Sequence, residues 1–368
     1  MNFVKNFIVD KVEEKVHLDL DQDGDIGGVP VAQAQQQHQQ HQQQQAHHAP
    51  ASYSAAAAQG GAGHAPAQQH AAPHAHHAPH AHQAGRTDMR PSAEELADTA
   101  AACSALWALD GNRLQPGRDY ELDLQGSKHS SYHQHDVARG SLFRHVDQGA
   151  LDRVPTIRTF LALLDNYERS TGVSETLTNE EKAENHSFLD AALATPCMQY
   201  THRYLAAKGK VGDSEAEFKD FLYRTWFHMY RRETYRDSSG FEHVFVGEEK
   251  AGKVTGFHNW LQFYREERAG KVDYKGYLIP PRSGRKPDDD LDGDEHLLSV
   301  QFAWGDETKP VTTMFLGTDP AFEMALYTLC FAMGQQETHV YLGGYDLVIT
   351  AHRIAGDKIG TCFPKIGK

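Results

Sequence analysis

The sequence predicts an α+β protein in which a helical N-terminal half is followed by an antiparallel-sheet half. Apolar residues recur at helical spacing through residues 91–238, whereas residues 239–368 show short strand-like runs separated by turns. A low-complexity segment at residues 31–90 precedes both halves. Because the strands follow the helices instead of alternating with them, the pattern favours this class over a parallel doubly wound sheet.

The net charge and the absence of nucleotide-binding motifs argue against several classes of function. The chain has 368 residues and a net charge of −14, which argues against a broad basic face for nucleic acid and against general binding to anionic membranes. A single catalytic site needs only local positive charge, so chemistry on RNA stays open. The sequence has neither a Gly-x-Gly-x-x-Gly fingerprint nor a phosphate-binding loop, so we expect no nucleotide cofactor. We also expect a monomer.

The cysteines and the N-terminus indicate the compartment. Four widely separated cysteines show no metal-binding spacing, which predicts free buried thiols: Cys103, Cys197, Cys330 and Cys362. Charged residues interrupt the apolar residues of segment 3–16, so this segment predicts an amphipathic helix and not a secretory leader. We therefore expect a cytoplasmic protein, and export by a route without a leader stays open.

The chain ahead of residue 91 divides into two predicted segments. Residues 1–30 combine the amphipathic helix with an acidic turn. We expect the helix to dock on the rest of the chain, with a partner protein or a membrane surface as alternatives. Residues 31–90 are mainly Gln, His and Ala, a composition that cannot bury enough apolar surface to offset chain entropy. We read them as a disordered linker outside the fold and the catalytic site.

Two Asp-rich runs resemble the first half of a calcium-binding EF-hand loop. The spacing of their carboxylates and the central glycine match that loop, and the candidate metal ligands are Asp19, Asp21, Asp23, Asp288, Asp290 and Asp292. The twelfth position of each run, where a bidentate Glu is needed, holds Pro30 and Ser299. Each run is therefore either a weak calcium site or a solvated acidic segment.

Capping patterns mark the predicted helices. The helix starts in the first half are the Ser92/Glu95 capping box, Pro155 ahead of Thr156–Glu168, the Thr178/Glu181 capping box, and Asp213 or Ser214. In the second half, Asp319 as N-cap and Pro320 at the first helical position predict a helix through Phe322–Met333. The predicted strands are Glu242–Val246, Leu297–Phe302, Val311–Leu316, Val340–Leu342, Asp346–His352 and Lys358–Phe363.

Two histidines form the candidate chemical centre. His243 and His258 lie fifteen positions apart, each among Gly and aromatic residues instead of on a regular amphipathic helix. We therefore expect both rings to face one cleft. An imidazole has an ordinary pKa of about 6.5, so one ring can accept a proton near neutral pH while the other donates one. The pair is either a proton-transfer pair or two structural histidines.

The motifs around these histidines resemble a known family. Residues 240–248 read Gly-Phe-Glu-His-Val-Phe-Val-Gly-Glu, residues 256–260 read Gly-Phe-His-Asn-Trp, and residues 274–277 read Tyr-Lys-Gly-Tyr. This series is similar to the signature of the poly(U)-specific endoribonuclease (EndoU) family, and the similarity extends from about Glu94 to Pro364. It implies an EndoU-type endoribonuclease domain at 91–368, with a helical lobe to 238 and a catalytic β-rich lobe from 239.

The resemblance also implies an activity. Members cleave single-stranded RNA at uridylates, leave 2′,3′-cyclic phosphate ends and are stimulated by a divalent ion, here Mn²⁺ or Ca²⁺ at a site that is unknown. The family's catalytic lysine falls at Lys309, whose ammonium would neutralise the pentacoordinate phosphorane. His258 would then be the general base on the 2′-OH and His243 the general acid. Glu242 and Glu248 match acidic family positions, which orient an imidazole or bind an ion, unless they are solvated strand-edge residues.

The C-terminal segment resembles the part of the family that contacts uracil. Thr361 and Phe363 fall at the recognition positions, where a hydroxyl reads base edges and a ring stacks on the base. Phe363 replaces the Tyr that is common in the family, so a phenolic hydrogen bond is lost. Thr313, four residues after Lys309, is a second candidate for the base pocket, with a packed structural role as the alternative.

Two other function classes stay in competition with the endoribonuclease reading. One is an RNA-binding module of the same fold without turnover, against which the joint presence of His243, His258 and Lys309 argues. The other is a calcium-responsive membrane or partner adaptor, in which the N-terminal helix and the Asp-rich runs are the functional parts.

Overall fold

The computed structural model of the chain describes residues 25–26, 29–30, 88–128, 135–278 and 294–366. The predicted helix at residues 3–16, the linker up to residue 87 and both candidate sets of Asp ligands lie outside these residues. Asp25–Ile26 (β1) and Val29–Pro30 (β2) pair as a two-stranded antiparallel ladder. No helix within the described ranges is long and apolar enough to cross a bilayer.

Helices dominate the described chain up to residue 226. They are α1 (Ala93–Ala97), α2 (Thr99–Leu109), α3 (Gln148–Arg153), α4 (Pro155–Leu163), α5 (Asn179–Leu193), α6 (Pro196–Ala207) and α7 (Glu215–Trp226). Both predicted capping boxes are present, with reciprocal hydrogen bonds between Ser92 and Glu95 and between Thr178 and Glu181. Ser214 caps α7 as predicted. These caps satisfy amide groups that a helix start leaves without partners.

Several helix predictions in this region need correction. The helix expected after Ser92 is two helices, because the Asp98 carboxylate accepts from the amide of Ala100 and starts α2. The helix expected to reach Glu168 ends at Leu163. α6 was not predicted, although its N-cap Thr195 and the following Pro196 have the residue types that begin helices. The capping residues Asp98 and Thr195 thus begin two helices that the spacing of apolar residues did not predict.

Strands form two main sheets. β8 (Val272–Leu278), β9 (Leu297–Trp304) and β10 (Glu307–Phe315) pair antiparallel, and β4 (Ser127–Lys128) extends this sheet by pairing parallel with β8. β11 (Glu337–Leu342), β12 (Tyr345–Ile354) and β13 (Lys358–Ile366) form an antiparallel sheet. Two smaller ladders join β3 (Tyr120–Leu122) to β5 (Phe143–Val146) and β6 (Glu248–Lys250) to β7 (Lys253–Thr255). The protein is therefore a mixed helix-and-sheet structure.

One predicted strand is wrong. Glu242–Val246 forms a π-helical turn, in which the Gly247 amide donates to the Glu242 carbonyl. The segment turns because Ser239 and Glu242 exchange hydrogen bonds between side chain and amide at its start. At its end, Gly247 has a φ of +91°, which favours glycine. The other five predicted strands exist and are longer than predicted, while β6, β7 and β8 were missed.

A second helix also interrupts the strands, where a single one was expected. α8 (Trp260–Arg268) begins at Asn259, whose side chain accepts from the amides of Leu261 and Gln262. α9 (Pro320–Met333) begins at its predicted N-cap, Asp319. α9 is buried along almost its whole length and packs against α2, α6, β12 and β13. This helix therefore joins the helical part of the chain to the sheet that carries the C-terminal strand.

The turn between β7 and α8 carries unusual backbone geometry. Gly256 and Phe257 have φ values of +62° and +66°, a region that costs a residue with a side chain about 1–2 kcal/mol. A Cβ added to Gly256 would overlap the carbonyl oxygen of His243. Only glycine at position 256 therefore lets this turn approach the π-helical turn.

We expect Gly256→Ala to destabilise the protein by about 3 kcal/mol or more, since it combines an unfavourable φ with a clash against main chain. Gly356→Ala is the matched control, because Gly356 also has a positive φ, +90°, but has open space around it. The control should lose only about 1–2 kcal/mol. Urea unfolding of the two variants measures the difference, and equal losses would show that the close approach at position 256 is not required.

Candidate active site

His243 is held by a carboxylate within the same segment of chain. It lies in the π-helical turn, and its Nδ1 is 2.6 Å from Oε2 of Glu248. Glu248 is fully buried and also forms an ion pair with Nε of Arg232 at 3.2 Å. A carboxylate on one ring nitrogen sets the orientation of the imidazole and leaves the other nitrogen, Nε2, to act outward. Glu248 therefore takes the orienting role, one of the two that the sequence left open.

His258 is held by main chain and by a hydroxyl. Its amide donates to the carbonyl of Val244 at 2.9 Å. Its Nδ1 is 2.9 Å from Oγ1 of Thr312, and the same hydroxyl donates to the carbonyl of Phe257 at 2.8 Å. Thr312 was not predicted as a site residue. Neighbouring side chains on a strand point to opposite faces, so the side chain of only one of Thr312 and Thr313 can face the ring. The sequence did not show which one.

A short main-chain contact brings the two histidines together. The amide of Phe257 donates to the carbonyl of His243 at 3.0 Å, next to the contact between His258 and Val244. Lys309 on β10 is almost fully buried, and its positive charge lowers the pKa of both imidazoles. The three side chains predicted from separate parts of the sequence thus act on one another electrostatically.

We expected both rings to face a cleft, and this expectation is wrong because both rings are buried. His243 is 6% exposed and His258 1% exposed. Burial, followed by the charge of Arg232, lowers the pKa of His243 to about 4. Burial, followed by the charge of Lys309, lowers the pKa of His258 well below its ordinary value. Both imidazoles are therefore neutral near pH 7 in the free protein, and neither is the charged donor that was expected.

Arg232 links the carboxylates to the C-terminal strand. Its Nη2 donates to the carbonyl of Gly360 at 2.8 Å, while its Nε pairs with Glu248. Glu242 accepts from the amide of Ser239, and burial, together with the nearby Glu248, raises its pKa well above the ordinary range. Glu242 is thus a buried turn-forming residue and not a solvated strand-edge residue. Arg232 was not predicted as a site residue.

The predicted base-recognition residues have different surroundings. Thr361 is 6% exposed, and its Oγ1 has no hydrogen-bond partner among the residues that the structure describes. Phe363 is fully buried and stacks on His258, with ring centroids 4.6 Å apart and an interplanar angle of 11°. Thr313 shares a 2.7 Å hydrogen bond with Ser299 across the sheet. Phe363 and Thr313 are therefore occupied in packing and pairing, whereas the hydroxyl of Thr361 is available.

A buried polar network supports the main chain next to His258. Asn259 donates from Nδ2 to Oε1 of Glu323 at 3.1 Å, and the same oxygen accepts from Thr318 at 2.9 Å. Glu323 is fully buried, and burial raises its pKa well above the ordinary range. A neutral carboxyl of this kind stabilises the start of α8 without the cost of burying a charge.

A divalent ion at this site would need carboxylate or imidazole ligands arranged around one point. Within the described ranges, no group of three or more His, Cys, Asp or Glu side chains is arranged to hold a metal. Glu242 and Glu248 are the predicted acidic pair, but the guanidinium of Arg232 lies 3.2 Å from Glu248. A positive charge at that position opposes a second cation, so this pair does not fit a resident Mn²⁺ or Ca²⁺.

Two imidazoles and an ammonium within one polar cluster are the groups that a proton-transfer enzyme needs. The chain belongs to the Endoribonuclease XendoU family, whose sequence model matches residues 98–364. The predicted family resemblance is therefore confirmed, and it covers the described helices from α2 onward together with both main sheets.

Individual relatives agree with this family. The chain is 45% identical over 271 residues to "Uridylate-specific endoribonuclease C" of Danio rerio, a match that covers 71% of this chain and 85% of the relative. It is 43% identical over 271 residues to "Poly(U)-specific endoribonuclease-B" of Xenopus laevis, covering 71% and 91%. A solved structure of XendoU, a "splicing independent snoRNA processing endoribonuclease", superposes with a TM-score of 0.65 at 42% identity, covering 74% of this chain and 97% of that one.

We expect the His243 imidazole to titrate with a midpoint near pH 4. Unfolded chains protonate histidine at about pH 6.5, so the free energy of unfolding contributed by this ring is present above that pH and declines as the pH falls towards 4. Histidine carbon-proton NMR spectra of the free protein measure the midpoint. Glu248→Gln removes the carboxylate that raises this pKa and should lower the midpoint further. A midpoint at or above 6.5 would contradict the buried, neutral state.

Proposed function

We propose that this chain is an endoribonuclease that cleaves single-stranded RNA at uridylates by attack of the 2′-OH, leaving 2′,3′-cyclic phosphate ends. Its family membership supports the endoribonuclease class, and the printed names of its relatives support uridylate specificity. The observation that carries the mechanism is the pair of main-chain hydrogen bonds that places His243 beside His258, together with the charge of Lys309, which lowers the pKa of both rings.

His258 serves as the general base on the 2′-OH. The Thr312 hydroxyl has one hydrogen, which it donates to the carbonyl of Phe257. Its oxygen therefore accepts from Nδ1–H of His258. This assignment leaves a lone pair on Nε2, and the lowered pKa keeps the ring neutral and able to accept a proton near pH 7.

His243 serves as the general acid on the leaving 5′-oxygen. In the free protein its pKa is about 4, so it must gain a proton when substrate binds. A phosphodiester brings a negative charge, which raises the pKa of a nearby imidazole, and Glu248 at Nδ1 stabilises the imidazolium that forms. The substrate itself thus supplies the charge that prepares the acid.

Lys309 stabilises the extra negative charge of the phosphorane. Its ammonium is buried, where a charge interacts more strongly than it does in water. Its effect on both imidazoles also favours their neutral forms until an anion enters the site. The Lys309 ammonium therefore helps to keep both imidazoles neutral in the free protein and stabilises the phosphorane in the transition state.

Thr361 is the residue we propose for reading the uracil. Its Oγ1 is buried without a partner among the described residues, and a base carbonyl or imide group can satisfy it. Phe363 is fully buried against His258 in the free protein, so stacking on the base requires its ring to become exposed. Thr313 on β10 is proposed to pack and to pair with Ser299 on β9.

The partner and cofactor proposals follow from the same reading. We propose single-stranded RNA as the substrate and stimulation by Mn²⁺ or Ca²⁺, with the ion placed away from the Glu242/Glu248 pair. The division of the domain into lobes at residues 91–238 and 239–368, the cytoplasmic location and the monomeric state stay predictions from the sequence.

One observation favours a second candidate, the RNA-binding module without turnover. Both catalytic histidines are buried in the free protein, and a ring that stays buried cannot reach a 2′-OH. Under this alternative the chain retains the fold and binds RNA, while the site never opens.

We expect His258→Ala to lower the cleavage rate by a factor on the order of 10²–10⁴, because it removes the general base. A fluorogenic oligonucleotide with one ribouridine, assayed with Mn²⁺, Ca²⁺ or EDTA, measures the rate. Mass spectrometry of the products tests for the cyclic phosphate. His339→Ala is the matched control, since His339 is exposed on β11. Unchanged cleavage by His258→Ala would remove the mechanism, and no cleavage by the wild type in any ion would favour the binding module.

Thr312→Val should lower activity more than Thr312→Ser, because valine keeps the shape but cannot accept from Nδ1–H of His258. Without that acceptor the ring is free to place its proton on Nε2, the nitrogen that must accept one. We expect a loss of roughly tenfold or more in kcat with little change in KM for the valine variant. Equal activities of the two variants at matched thermal stability would contradict this assignment of the tautomer.

A further inference from the structure

Two exposed apolar side chains lie on neighbouring loops next to the site. Val173 is 47% exposed and Tyr235 is 72% exposed. Their loops are joined by main chain, since the amide of Glu175 donates to the carbonyl of Arg236 at 2.9 Å. We call Val173, Arg231, Tyr235 and Arg236 the Tyr235 patch. Most large apolar side chains in the described chain are buried, so a pair on joined loops calls for an explanation.

The loop that presents Tyr235 is built around one buried carboxylate. Asp237 accepts hydrogen bonds from the amides of Gly172, Arg232, Glu233 and Thr234. Burial alone would raise the pKa of this carboxyl, but the four amide donors outweigh it and hold the pKa below its ordinary value. The loop is therefore preformed, and a ligand that binds Tyr235 does not have to order it.

The same two loops contact the candidate active site. Arg232 lies three residues before Tyr235 and contacts both Glu248 and the carbonyl of Gly360. The amide of Thr171 donates to the carbonyl of Glu249 at 2.9 Å. Three residues span at most about 11 Å, so the main chain of Tyr235 lies within that distance of Arg232, whose guanidinium contacts Glu248.

The chemistry of the patch suits an unpaired nucleotide. An exposed aromatic ring stacks on any base, and neighbouring arginines bind the phosphates of the same strand. Arg231 is exposed and Arg236 half-buried on either side of Tyr235 in the sequence, with the exposed Glu233 between Arg231 and Tyr235. The loop therefore offers two guanidinium groups to a phosphate on a chain whose net charge is −14. A protein partner would require about 800 Å² of surface, far more than one ring and one valine provide.

We propose that the Tyr235 patch is a subsite for a nucleotide flanking the scissile uridylate, with the base on the Tyr235 ring and a phosphate at Arg231 or Arg236. This subsite rests on the proposed endoribonuclease function and deepens it. Tyr235 acts in substrate binding and takes no part in proton transfer, so the length of RNA needed for full activity depends on it.

The test compares short and extended substrates. The short one is ribouridine followed by an abasic deoxyribose, so it has no flanking base, and the extended ones either add four deoxyadenosines on the 5′ side or replace the abasic unit by four deoxyadenosines on the 3′ side. The variants are Tyr235→Ala and Tyr235→Phe. Tyr341→Ala is the matched control, because Tyr341 is a tyrosine 54% exposed on β11. Thermal melting of each variant verifies that it is folded.

Extension on one side should raise kcat/KM for the wild type, Tyr235→Phe and the control by a factor of about 5 to 100, the range of one base–aromatic stack. Tyr235→Ala should lose most of this gain through a higher KM and should cleave the short substrate, which has no flanking base, like the wild type. The side on which the gain is lost identifies the flank that the patch binds.

An abasic nucleotide at the flanking position separates stacking from a structural effect. If the base stacks on Tyr235, its removal weakens wild-type cleavage but has little further effect in Tyr235→Ala, so the two losses are not additive. Additive losses, or equal effects of Tyr235→Ala on short and extended substrates, would overturn the subsite. If His258→Ala retains activity while extension still depends on Tyr235, the mechanism fails and the subsite stands.

Discussion

The site depends on two main-chain hydrogen bonds between the π-helical turn and the turn that precedes α8. Phe257 donates to His243 and His258 donates to Val244, so each catalytic candidate is part of the contact that positions the other. Gly256 permits this contact because any side chain at that position would overlap main chain. Stability and chemistry are therefore coupled here: whatever separates the two turns also separates the imidazoles.

Burial decides how these groups ionise. The two imidazoles and the Lys309 ammonium share a polar cluster with Arg232 and Glu248, and desolvation is the largest influence on both histidine pKa values. A buried base that is neutral is ready to accept a proton, whereas a buried acid is not ready to donate one until an anion enters. The ordinary pKa of histidine, on which the sequence argument relied, therefore describes neither ring in the free protein.

The acidic character of the chain and its proposed RNA substrate are compatible because positive charge is placed locally. Arg232 and Lys309 lie inside the cluster, and Arg231 and Arg236 lie on the adjoining loop. Charges at these positions act over a Debye length of about 8 Å at physiological salt, so they act on a strand at the site and are screened from the rest of the surface. RNA recognition of this kind requires loops with fixed geometry, which the buried carboxylate of Asp237 provides.

The sequence by itself determined the family, the mixed helix-and-sheet class, the capping boxes and the start of α9, because each depends on residues that are close in the chain or on a specific motif. Only the tertiary structure decided that Glu242–Val246 turns instead of extending, that the hydroxyl of Thr312 and not that of Thr313 lies against Nδ1 of His258, and that Arg232 joins Glu248 to the last strand. These features depend on contacts between residues far apart in sequence and on burial. Local propensity and spacing contain no information about either.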